Sequence, residues 1–136
     1  MRQGLIAMLL LVAAFCIQGY AAAETPSDIK ELKQAKVQTA REALQALDVQ
    51  LKAGRVAPFD SAFATWTKRL LDAELALCEN KADRLAAHEK YLKYVKELEG
   101  FVNEQFKART CSIVNLKEAQ YRRLEAELWL AEAKTK

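Results

Sequence analysis

From Val37 onward the chain repeats apolar residues three and four positions apart, the spacing of one face of an α-helix. Val37, Ala40, Leu44, Leu47 and Leu51 form a first narrow stripe, and Phe59, Phe63, Trp66, Leu70, Ala73 and Leu77 a second. After a slip between Cys78 and Arg84 the pattern resumes with Leu85, His88, Leu92, Val95, Leu98, Val102 and Phe106. Val114, Tyr121, Leu124, Leu128 and Ala131 make the last stripe, with Trp129 beside it. No stretch alternates with the period of two that a strand requires, so the fold class is all-α.

Punctuation along the chain sets the expected helix ends. Thr25 caps the first helix, with Pro26 in its first turn and Asp28 placed to complete a capping box. That helix runs to Ala53, Gly54 ends it in the left-handed conformation, and Pro58 opens the next. Arg109-Thr110-Cys111-Ser112 interrupts the pattern again, and Ser112 suits the cap of a final helix.

Glu79-Asn80-Lys81-Ala82 contains neither Gly nor Pro, which favours one helix running from Pro58 to Arg109. Such a helix is about 75 Å long, against about 43 and 33 Å for the first and last. The expected architecture is therefore a pair of long antiparallel coiled-coil hairpins, in the order short, long, short. The alternative turns the chain at Asn80, with Asp83 three residues on, and gives a four-helix up-down bundle.

The N-terminus reads differently. Arg2 precedes thirteen apolar residues from Leu5 to Ile17, and the small residues Ala21-Ala22-Ala23 follow. Residues 1–23 read as a cleaved signal peptide, with the exported chain beginning at Glu24. Thirteen residues fall short of the roughly 20 that a spanning helix needs, so no stable membrane span is expected after processing. Bulky Phe15 before Cys16 argues against lipid attachment there. The expected location is periplasmic or secreted.

Charge narrows the partners. Loss of Arg2 leaves 20 basic residues against 18 acidic ones, interspersed along the helices. A nucleic-acid binder gathers its Lys and Arg on one face, so no nucleic-acid partner is expected.

Chemistry-bearing residues are few. His88 is the sole histidine, and neither an H-E-x-x-H nor an E-x-x-H motif accompanies it, so it reads as a seam residue rather than a metal ligand. Cys78 and Cys111 lack C-x-x-C spacing and lie too far apart along either architecture to bond within one chain. They read as free thiols or as an intermolecular disulfide. Trp66, Trp129, Phe59, Phe63 and Phe101 are candidates for an apolar groove, though helical spacing makes packing the simpler reading. No catalytic, cofactor-binding or metal residues are expected.

The chain also repeats itself. LKAGRVAPFD, Leu51 to Asp60, has a counterpart in FKARTCSIVN, Phe106 to Asn115; RLLDAELAL, Arg69 to Leu77, matches RRLEAELWL, Arg122 to Leu130. Residues 24–136 thus read as a single helical domain built from two helix-break-helix repeats, about 27–78 and 82–134. This pattern resembles the α-helical hairpins of TolC-type outer-membrane efflux proteins. The ending YRRLEAELWLAEAK, Tyr121 to Lys134, is similar to that of small exported bacterial proteins of unknown function. The resemblance implies stacked helices and an envelope location. It does not imply a channel, because strand segments for a barrel are missing and Arg109 stands where the pattern has Gly. The function expected is helix-to-helix contact or scaffolding in the cell envelope, with self-association or a protein partner. The alternative is a periplasmic holdase for apolar or unfolded clients.

Overall fold

The computed structural model describes residues 25–135; the expected signal segment, Cys16 included, lies outside them. Four helices follow one another: α1 Pro26–Lys52, α2 Ser61–Leu75, α3 Lys81–Lys107 and α4 Ile113–Thr135. Chain neighbours pack antiparallel: α1 against α2, α2 against α3, and α3 against α4.

The long middle helix is not formed. The chain leaves α2 in a tightened last turn, where the Leu77 and Cys78 amides donate to the carbonyls of Glu74 and Leu75. Asn80 then takes extended angles (φ −131°, ψ 168°), and its side chain accepts from the Asp83 amide at 2.8 Å. The physical reason lies in the slipped stripe. A continuous helix would separate Leu71 from Ala87 and Tyr91, whereas the turn brings them together with Val95 and Ala126 in one buried cluster. An asparagine cap is worth about 1 kcal/mol and needs no Gly or Pro. The end-to-end stacking of two short helices along a long one therefore does not occur among the described residues.

The other ends follow local chemistry. Thr25 and Asp28 form the expected capping box. Ser112 and Asn115 exchange bonds in the same way before α4, Ser112 N–H to Asn115 Oδ1 at 3.0 Å and Asn115 N–H to Ser112 Oγ at 3.2 Å. α2 starts at Ser61 rather than at Pro58, because Asp60 accepts from the Ala62 amide at 2.8 Å and caps it.

The ends of α1 and α3 share one motif. Gly54 N–H donates to Leu51 and Arg55 N–H to Gln50; Arg109 N–H donates to Phe106 and Thr110 N–H to Gln105. Both are Schellman caps with the residue after the C-cap left-handed, Gly54 at φ 67° and Arg109 at φ 60°. A side chain there costs roughly 1–2 kcal/mol, while Gly adds about 0.5–1 kcal/mol of unfolded-state freedom. Arg109→Gly should therefore raise stability by about 0.5–1 kcal/mol, measured by urea unfolding. A loss of stability would mean that Arg109 earns its position by contacts of its own.

Three clusters make the core. Leu44, Phe63 and Leu98 join α1, α2 and α3, with Leu47, Leu51, Trp66 and Tyr94 around them. Leu71, Ala87, Tyr91, Val95 and Ala126 join α2, α3 and α4. Val102, Leu116 and Ala119 join α3 and α4, with Phe59 and Phe106 at the edge. The buried hydroxyl of Thr67 donates to the Phe63 carbonyl, so this polar group of the core is satisfied.

Candidate functional site

α4 carries apolar residues on two faces. Leu116, Ala119, Ala126 and Leu130 turn inward and are buried. The expected seam, Val114, Tyr121, Leu124, Leu128 and Ala131, faces solvent instead. Val114 is 71% exposed, Tyr121 63%, Leu124 54% and Leu128 56%. The two stripes are two residues apart in sequence, about 200° around the helix, so they occupy opposite sides. The inward face wins the core because Ala119 and Ala126 are small enough to let α3 approach, and because Trp129 stacks on Tyr91 with ring centroids 5.7 Å apart.

Charges lock α4 in this rotation. Arg123 donates from Nε to Glu99 of α3 at 2.7 Å and from Nη1 to Glu127 at 2.8 Å, and Lys96 of α3 reaches Glu127 at 3.3 Å. At the far end Lys81 Nζ donates to the Lys134 carbonyl at 3.0 Å. The outer stripe is thus left on the side of α4 turned away from α3. Its residues follow a three-and-four spacing, the seam of a two-stranded coiled coil. Glu118, Glu125 and Glu132 recur every seventh position along one edge of it.

A second charged knot ties the first three helices. Glu74 of α2, with its side chain 14% exposed, accepts from Arg41 of α1 at 2.9 Å and from Lys90 of α3 at 2.7 Å. Burial pushes its carboxyl pKa up, but the bonds to Lys90 and Arg41 outweigh burial and hold it below the usual carboxylate value. A depressed carboxyl stabilises the fold in full above its unfolded-state pKa and loses that contribution as pH falls through the folded value. Thermal melts across the acid range should fall more steeply for the native chain than for Glu74→Gln. Parallel curves would show that the knot contributes nothing.

The residues singled out for chemistry are dispersed. His88 lines an open cleft of about 590 Å³ with Trp129, Arg84, Lys81, Glu79 and Glu132. Its Nδ1 is buried with no protein partner, and burial, then Lys68, lowers its pKa. No group of three or more His, Cys, Asp or Glu able to hold a metal occurs among the described residues. Cys78 and Cys111 are free, half-buried thiols at opposite ends of α3, about 40 Å apart along its 27 residues. Burial, then Asp83, pushes the Cys78 thiol up, away from the reactive thiolate. Tyr91 is pushed up to about 12, chiefly by burial.

The five aromatic residues do not line one groove. Phe63 and Trp66 belong to one cluster, Phe59 to a second and Trp129 to a third, while Phe101 is 55% exposed on α3. Arg69 lies over Trp66 at 4.7 Å and Lys68 over Trp129 at 4.9 Å. No described helix is long and apolar enough to cross a membrane. No family model matches the chain, and no curated protein or solved structure is detectably similar to it.

Proposed function

We propose that this is a non-catalytic interaction protein of the cell envelope, which binds other helices through the outer face of α4. The observation that carries the reading is the exposed stripe Val114, Tyr121, Leu124 and Leu128 on a helix whose opposite face already supplies the core. Large apolar residues aligned on one solvent-facing seam mark a contact surface, whereas single exposed ones are ordinary. The envelope location rests on the signal-like residues 1–23. The holdase alternative draws on the aromatic residues, and their dispersal over three clusters supports it less.

The stripe makes a specific demand on experiment. Leu124→Asp combined with Leu128→Asp should leave helicity unchanged while abolishing whatever the tagged native protein captures from envelope extracts. Undiminished capture would remove α4 as the binding surface.

A further inference from the structure

His88 is the sole histidine of the chain, and three helices meet around it. It stands two turns into α3, in the cleft where Leu75 ends α2 and where Trp129, Glu132 and Ala133 of α4 come across. The ring lines that cleft, yet its Nδ1 is buried and meets no hydrogen-bond partner. A neutral imidazole can leave that nitrogen unprotonated, as a bare acceptor. A charged ring carries a proton on both nitrogens, and the one on Nδ1 then has neither an acceptor nor water to receive it.

Charge around the ring acts in the same direction. On α2, Lys68 pairs with Asp72 and holds its ammonium over the Trp129 ring at 4.9 Å. On α3, Lys81 and Arg84 line the same cleft, Lys81 with its ammonium on the Lys134 carbonyl. The acids that line it are Glu79 in the turn and Glu132 on α4. Neither offsets the burial and the Lys68 charge, which together hold the ring below its ordinary pKa.

What gives way is set by how α4 is held. Its first half is anchored by Leu116 and Ala119 against Val102 and by Arg123 on Glu99. Beyond Glu127 the described contacts to the core are Trp129 on Tyr91, the buried Leu130 and the Lys81 bond to the Lys134 carbonyl. Lifting these last turns admits water to Nδ1 and leaves the other two clusters closed, which makes it the least costly opening.

We propose that His88 is an acid-released latch: charging its ring lifts the end of α4, from Trp129 onward, away from α2 and α3. This goes beyond the reading of α4 as a contact surface and does not depend on it. The closed end is fully stabilised above the ordinary imidazole value of 6.5, and that stability is lost as pH falls from there through the lower folded value. Glu74 responds in a different window, because its carboxyl titrates below 4.5.

Hydrogen exchange of the processed chain tests the latch, read by mass spectrometry as protection relative to intrinsic rates at about pH 7.5 and about pH 5. Protection of the amides from Trp129 to Lys134 should fall by about threefold or more at the lower pH, while the first half of α4 keeps its own. His88→Gln cannot charge and should lose this pH dependence, whatever its absolute protection. Lys68→Met should weaken the dependence without removing it. Equal protection of the native end at both pH values would overturn the latch, as would the same fall in His88→Gln. A fall spread evenly over all four helices would overturn it too, by making the opening global.

Discussion

Phe63→Ala should lower the free energy of unfolding by about 3–5 kcal/mol, the cost of emptying a fully packed aromatic site. Phe63 is 0% exposed and stands where α1, α2 and α3 meet, against Leu44 and Leu98. Its neighbours come from three helices and are held by the Glu74 bonds to Arg41 and Lys90 as well as by packing, so collapse into the cavity is restricted. Urea unfolding read by circular dichroism measures the change. A loss under about 1 kcal/mol would mean that the three helices do not converge there.

Leu71→Asp should be more severe and should leave no folded population at room temperature. Leu71 is 2% exposed among the apolar side chains of Ala87, Tyr91, Val95 and Ala126. A carboxylate buried among these apolar side chains costs several kcal/mol, roughly the whole stability of a small domain, since net stabilities run to only about 5–15 kcal/mol. Leu124→Asp makes the same chemical change on the outer face of α4 and should alter the stability of the isolated monomer by no more than about 0.5 kcal/mol. Periodicity places Leu124 on a stripe and Leu71 beside one, so it ranks the two positions in the opposite order. Comparable loss of helical signal in both variants would place Leu124 in the core.

Much of the fold was legible because helix ends are local events. Thr25 with Asp28, Gly54 and Ser112 each announce a boundary through chemistry contained within a few residues. The stripe of α1 was legible for a related reason: Val37, Ala40 and Leu44 are apolar on one face only, and that face is buried. The break before α3 was underweighted because Asn80 and Asp83 had to be set against an absence of Gly and Pro. What decides it is a long-range gain, the meeting of Leu71 with Tyr91, that no window of sequence contains.

α4 misleads for a different reason. Its outer stripe holds the larger side chains, Tyr121, Leu124 and Leu128, while two of its four buried positions are the alanines 119 and 126. Hydrophobicity ranks the wrong face first, because close approach of two helices selects small residues over large ones. Only the partner helix reveals which face is inside, through Trp129 on Tyr91 and Arg123 on Glu99. The surface proposed to carry the function was therefore visible in the sequence as a seam but assigned to the interior.

The most direct measurement places a photo-crosslinking amino acid at Leu128 and, as a control, at Gln45 on the exposed side of α1, in cells that make the full chain. A discrete intermolecular adduct is expected from position 128, with the second polypeptide joined through residues of a helix, and none from position 45. Crosslinks from position 128 only to α2 or α3 of the same chain, or the same adducts from both positions, would contradict it.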